Sequence, residues 1–441
     1  MSNKITRRDF LKYTGMGGAA ALAAAYGLPL SSVLAQAVPT DITDHLVVYN
    51  FGGAQHQEVF ANAIARFNET YPNVTVEDLY IPSTEGWGGF ATNLLLRIRS
   101  GLQTDVIAIA IEGAHEVISA GILLPLDDAF AADPVLQELA DDSHQALADG
   151  LAGADGQTYF VTREWNNMIF HYNTNMFEAA GLGMPNPEWT WDDFLEAATT
   201  LTTGEGADKV FGYVIPFFFF GLQPWFFTNG TSVLNDDWTQ SNLDDPKVLE
   251  TVQFLHSLVH EHGVAPNVEG TDSLGLFTSE RAAMVCFGRW TFANYIANGF
   301  TQVDIVPWPR KQAATTVFGS GGWAITRTAQ NVPLALELVK EFSSAETDID
   351  SIRFGTFIPS RRSSAESEQF LAFPEHANYF WESLNDIKPV PSPANFAEMS
   401  EIVMRHLSEI MANNVTAEQG LEAAHIELTS AMDRLAERMS S

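Results

Sequence analysis

Between residues 44 and 111 the chain alternates between two hydrophobic rhythms. Leu46 to Tyr49, Val74 to Tyr80 and Val106 to Ile111 are short apolar runs that read as strands. Between them, Gln57 to Tyr71 and Phe90 to Gly101 space their apolar residues three and four apart, the period of an amphipathic helix. Because crossovers between parallel strands are right-handed, this β-α-β-α-β order predicts an α/β lobe with its ligand edge at the strand carboxyl ends. Tyr159-Phe160-Val161 marks a crossing into a second lobe, where helical spacing resumes from Trp191, Pro246 and Leu274. Val303 to Val306 reads as a strand returning to the first lobe. Gly322 to Thr326 reads as a further strand and Val332 to Ser343 as a helix, and the chain closes with the amphipathic helices Phe396 to Asn413 and Thr416 to Met439.

The start of the chain follows neither rhythm. Lys4, Arg7 and Arg8 make it basic, RRDFLK resembles the twin-arginine export motif, and a small apolar stretch from Gly15 to Leu30 precedes Ala35-Gln36-Ala37. Residues 1–37 are expected to be a cleaved signal peptide. The stretch is rich in Ala and Gly and short of the roughly 20 strongly apolar residues of a membrane-spanning helix. The remaining chain exceeds the ~250–300 residues at which single cores stop growing, so two lobes are expected. The boundaries predicted from the strand order are 38–160 with 302–355 for lobe 1, and 161–301 with 356–441 for lobe 2.

Charge narrows the function. Removing Lys4, Arg7, Arg8 and Lys12 with Asp9 leaves 19 basic against 54 acidic side chains, a formal charge of −35. That repels nucleic acid and anionic lipid. The one cysteine, Cys286, can form no internal disulfide and lies in the apolar run Ala282 to Phe287, so a buried thiol is expected.

Residues 171–201, HYNTNMFEAAGLGMPNPEWTWDDFLEAATTL, combine a strand end with two punctuated helices. Asn175 is placed to cap a short helix through Ala180, and Thr190 with Asp193 has the spacing of a capping box. The order Tyr-Asn, Met-Phe, Ala-Gly-Leu, Pro and Trp-Thr-Trp-Asp-Asp-Phe resembles the family 1 extracellular solute-binding proteins of ABC sugar importers. The resemblance continues through VVYNFGGAQHQEVFANAIARFNETYPNVTVE, SGLQTDVIAIAIEGAHEVISAGILLPLDD, FTSERAAMVCFGRW, GSGGWAIT and an Ile-Pro-Ser-Arg segment at 358 to 361. It implies an α/β, two-lobed periplasmic binding protein fold of type II, each lobe a sheet flanked by helices with a cleft between them. The implied protein is a periplasmic monomer that binds a carbohydrate, closes by hinge motion and delivers it to the permease subunits of an ABC importer. Export by the twin-arginine machinery completes the set of partners, with no nucleic acid and no cofactor.

Sugar recognition combines aromatic faces on the C–H face of the ring with carboxylates and amides on its hydroxyls. The strand-end loops supply Gln55, preferred to His56, then Glu85 and Trp87, and Glu112, where the family often has an acidic residue. The first crossing supplies Glu164 and Asn166 beside Arg163 and Trp165. The resemblance points to Trp225, in PFFFFGLQPWFFTN, as an aromatic platform, and to Trp290, in FGRW, as a stacking residue; the Phe217 to Phe220 run itself reads as core. Gly322 lacks the bulk to keep a ligand from backbone, Trp323 follows it, and Phe396 matches a region that places an aromatic near the cleft. Arg361 is expected to pair with acids.

Enzyme readings find little support. Asp127-Asp128, Asp141-Asp142, Asp192-Asp193 and Asp236-Asp237 are adjacent pairs of the kind that caps and turns produce, whereas glycoside hydrolysis needs two carboxyls facing each other across a bond. His256 and His260 lie one helical turn apart but lack a HExxH motif or Cys partner, so they read as surface or cap residues and no metal is expected. Neither a nucleophile elbow nor a phosphate loop is present. A polyamine binder of the same architecture and a secreted glycosidase are the alternatives.

Overall fold

The computed structural model describes residues 37–81 and 86–440, so the expected leader up to residue 36 and Glu85 lie outside the described residues. The chain forms two compact units. Unit 1 holds the chain through Glu164 with Ser320–Ser351 and Pro359–Ser364; unit 2 holds Trp165–Gly319, Ile352–Ile358 and the chain from Ala365.

Unit 1 opens with β1 (Asp44–Asn50), α1 (Ala54–Thr70), β2 (Val74–Tyr80), α2 (Gly86–Arg99), β3 (Val106–Ala110) and α3 (Ile111–Ser119). β1 pairs in parallel with both β2 and β3, as the alternation requires. All five residues of β3 are buried, which suits a strand covered on both faces. α1 buries Val59, Phe60, Ala63 and Phe67, the one face that its spacing marks as apolar. β4 (Val161–Asn167) leads the chain out of this unit at Glu164.

Unit 2 follows with β5 (Ile169–Asn173), α4 (Trp191–Leu201), α5 (Phe219–Thr228), α6 (Pro246–His260), β6 (Met284–Phe287) and β7 (Val303–Val306). The strands make an antiparallel sheet in the order β6-β5-β7. Thr190 and Asp193 form the expected capping box of α4. The preceding short helix, Thr174–Ala179, is capped by Asn173 rather than Asn175, the Asn173 side chain accepting from Met176 N at 3.0 Å. The Phe-rich segment is helical from Phe219 despite Pro224, and every residue of α5 is buried. β7 does not return the chain to unit 1. It pairs with β5, and residues 302–319 stay in unit 2, because a short, fully buried strand carries no mark of which sheet receives it.

The return is made by β8 (Thr316–Ile325), whose later half runs antiparallel to β3, followed in unit 1 by α7 (Val332–Phe342) and the start of α8 (Ala345–Phe354). Arg66 of α1 ties these helices down, its Nε 2.7 Å from Glu341 and its Nη1 2.9 Å from Asp350. Unit 2 ends with α9 (Phe396–Met411) and α10 (Ala417–Ser440). No helix among the described residues is long and apolar enough to cross a membrane.

Candidate functional site

In unit 1 a polar group collects where β1 and β2 end and β4 begins. The register sets Asn50 beside Tyr80, and the Asn50 amide donates to the Tyr80 hydroxyl at 3.1 Å while its carbonyl accepts from Arg163 Nη1 at 3.2 Å. Arg163 is buried between the rings of Phe60 and Trp323, 4.7 and 4.8 Å from their centroids, and pairs with Glu164 at 3.2 Å. Burial pulls His56 down to about 3, helped by the charge of Arg163, so its imidazole is neutral near pH 7. Burial raises Asp78 to about 6, hydrogen bonds from Tyr80 and Asn50 offsetting part of the effect.

Two carboxyls here retain unused acceptor capacity. Oε2 of Glu164 and Oε2 of Glu112 are buried without a hydrogen-bond partner among the described residues. Glu112 sits in the first turn of α3, directly after β3, and burial pushes it up to about 7. A carboxyl raised on folding binds a proton that the unfolded chain releases, so its contribution to stability is greatest in acid and declines as pH rises from ~4.5 to about 7. Glu112→Gln is expected to flatten the fall in thermal midpoint between pH 5 and pH 7.5. Parallel wild-type and variant curves would place the titration elsewhere.

Beside this group stands an aromatic cluster that includes the expected Trp87. Trp87 of α2 packs 4.6 Å from Phe51 and 5.6 Å from Phe90, and Trp87 and Phe51 are both partly exposed. Gln55 lies partly exposed in the first turn of α1.

Unit 2 carries a second aromatic group. Phe287 stacks on Phe218 with centroids 6.4 Å apart, and Trp290 meets Phe287 at 6.4 Å and Phe220 at 6.2 Å. Phe218 is 36% exposed, and Phe287 and Trp290 keep part of their faces open. The expectation that the whole Phe217 to Phe220 run is core therefore holds for Phe219 and Phe220, while Phe217 is half-buried and Phe218 exposed. Only the start of α5 one residue later turns Phe218 outward. Asn166 supports the group through backbone: its Oδ1 accepts from Arg289 N at 3.0 Å.

Four expected ligand residues are packed within their own units instead. Trp225 is completely buried, with Trp191, Phe194, Phe254 and Trp308 at centroid distances of 5.3 to 5.5 Å. Trp323 is equally buried against Phe60 and Phe342. Gly322 is small because a Cβ there would lie 2.7 Å from the Phe160 Cβ, a strand-packing constraint and not an opening for ligand. Phe396 is 6% exposed, edge-on to Phe219. In each case a glycine-aromatic or Pro-aromatic pattern describes core as well as it describes a platform, and burial separates the two.

Other expectations concern structure. Cys286 is fully buried, 3.1 Å from the Tyr213 hydroxyl. His256 and His260 hold the end of α9 in place, bonding Asn413 Oδ1 at 2.6 Å and Met411 O at 2.8 Å. Arg361 donates to Ser343 O and lies 3.8 Å from Asp142. Asp304, Glu375 and His376 bring three ligand atoms within 4.8 Å of one another. Asp304, however, already accepts from Tyr172, His376 N, His376 Nδ1 and Ile305 N, which uses its lone pairs and makes Asp304 and His376 a structural clasp.

Two α/β units, each with part-exposed rings, have the fold class of the two-lobed periplasmic binding proteins. The sequence profile of the bacterial extracellular solute-binding proteins matches residues 53–349, and the chain belongs to that family. A twin-arginine translocation signal matches residues 4–24, which makes this an exported, periplasmic protein. An arabinooligosaccharide-binding protein of Halalkalibacterium halodurans is 21% identical over 85% of each chain. Among solved structures, an ABC substrate-binding protein from Listeria monocytogenes in complex with cycloalternan superposes with a TM-score of 0.80 at 20% identity, covering 89% of this chain and all of that one. Maltose-bound MalE3 of T. maritima gives 0.77 at 17% identity, over 88% and 99% of the two chains. These relatives are binding proteins.

Proposed function

We propose that the protein captures an oligosaccharide and passes it to the permease of an ABC importer, without catalysing a reaction on it. The observation that carries the reading is the part-exposed aromatic group of Phe218, Phe287 and Trp290 in a chain of this family, since flat ring faces suit the C–H face of a pyranose or furanose. Trp87 with Phe51 offers a second apolar surface, and the unused oxygens of Glu112 and Glu164 can accept from sugar hydroxyls. The ligands of the relatives, arabinooligosaccharide, cycloalternan and maltose, support a saccharide of more than one ring. A ligand favours a closed form only by its differential affinity for that form, which is the state a permease reads.

A small cationic solute is the second reading, favoured by those same two buried carboxylate oxygens. Calorimetry with a panel of arabino- and maltooligosaccharides plus spermidine separates the two. Heat from a saccharide with recovery of the intact sugar supports the proposal. Heat from spermidine alone transfers the site to cations, and hydrolysis of the recovered sugar refutes the non-catalytic role. Mass spectrometry of ligand released from freshly purified protein gives the same answer without a panel.

A further inference from the structure

Trp290 stands on a short turn whose construction is unusual at its centre. Gly288 precedes it because the indole folds back over that residue: a Cβ on Gly288 would fall 1.9 Å from Trp290 Cζ3. The Thr291 hydroxyl closes the turn by donating to Gly288 O at 3.1 Å. Between them, Arg289 sends its side chain into the unit. It is 2% exposed, with its guanidinium carbon 4.3 Å from the centroid of Phe370, 5.3 Å from Phe292 and 5.7 Å from Phe380. Its Nη1 donates to Phe373 O at 3.2 Å, its Nε has no partner, and it forms no ion pair among the described residues.

A buried guanidinium without an acid is costly to keep. Burial lowers Arg289 to about 9, which leaves it protonated near pH 7. The protein has 54 acidic side chains beyond its leader, and none among the described residues forms an ion pair with this cation. What the side chain obtains instead is direction: faces of three Phe rings fix the guanidinium plane, and the carbonyl of Phe373 fixes its reach. With the Arg289 backbone N–H held by Asn166, the residue is anchored at both ends and its neighbour inherits the orientation.

We infer that Arg289 is a positioning residue, whose caged side chain holds the 288–291 turn so that the Trp290 ring keeps its ligand-facing orientation. The inference rests on the proposed role of Trp290. It accounts for a cation that stability alone does not require, because replacing a buried ion by an apolar residue of similar volume is often neutral or stabilising.

The test is a cycle of Arg289→Met, Trp290→Ala and the double variant, with arabinotriose and maltotriose as calorimetric probes. Arg289→Met is expected to keep the thermal midpoint and weaken probe binding about tenfold, a scale set by part of one aromatic contact. In the Trp290→Ala background the same change should alter affinity by less than about twofold, because the residue acts through that ring. A loss that persists undiminished in the double variant, or wild-type affinity of Arg289→Met where Trp290→Ala is weakened, overturns the inference. Wild-type affinity of Trp290→Ala overturns instead the reading of Trp290 as a ligand contact. A ligand-independent measurement isolates the turn itself. The emission attributable to Trp290, wild type minus Trp290→Phe, should become more accessible to acrylamide in the Arg289→Met background, and equal quenching refutes the positioning role. Should Arg289→Met fail to fold, Arg289→Lys keeps the charge and loses the planar fork; it is expected to fold, to show the same rise in quenching, and to count against the inference if it does not.

Discussion

Trp225→Ala will lower the unfolding free energy by about 3–5 kcal/mol, the range for truncating a large buried aromatic side chain. The indole is completely enclosed, and rings from β5, α4, α6 and the segment after β7 surround it at centroid distances between 5.3 and 6.0 Å. Removing it leaves a cavity bordered by rigid aromatic walls that cannot collapse into the space, so the upper half of that range is expected. Chemical denaturation followed by circular dichroism measures it. If the variant unfolds at the wild-type midpoint and instead loses ligand affinity, Trp225 belongs to a binding surface and the packing account is wrong.

Trp290→Ala should behave in the opposite way. The ring is part exposed, with Phe220 and Phe287 as its aromatic neighbours among the described residues, so its loss costs the fold little, whereas ligand binding should weaken by about 1–3 kcal/mol, the scale of an aromatic hot-spot contact. Titration calorimetry against the saccharide recovered from the wild-type protein reads this directly. An unchanged Kd removes Trp290 from the site. The two substitutions together separate an indole that builds a unit from one that the unit displays.

The same pair explains what could be read along the chain. Trp225 follows Pro224, Trp290 stands two residues after Gly288, and both lie in motifs of the family resemblance, so nothing local distinguishes them. The motif Trp189-Thr190-Trp191-Asp192-Asp193-Phe194, which carries the family resemblance most clearly, proves to be structural. Trp191 and Phe194 line the cage around Trp225, Trp189 donates to Pro307 O, and Thr190 with Asp193 caps the helix. A family's most recognisable residues can thus be those that build its core.

Polar contacts divide similarly. The position of Glu112 is legible because β3 is an unmistakable buried strand and the residue lies in the first helical turn beyond its carboxyl end. Arg163 and Glu164 were legible only as a group, since which side chain of a crossing segment turns inward depends on register. Phe218 reads as core with the rest of its run, and Phe51 stands out by no motif, because each borders an apolar run and its exposure is decided where the neighbouring helix begins.

Sequence by itself determined the export signal, the acidic composition, the order of strands and helices at the start of the first α/β unit, the capping box of α4 and the family. These are local or compositional properties, carried by hydrophobic period, charge and punctuation. Tertiary structure alone decided that β7 stays in unit 2, that Trp225 and Trp323 are core while Phe218 and Trp290 are not, and that Arg289 sits in a cage of three Phe rings. Each of these depends on contacts between residues far apart in the chain, and burial of that kind leaves no mark in the residues on either side.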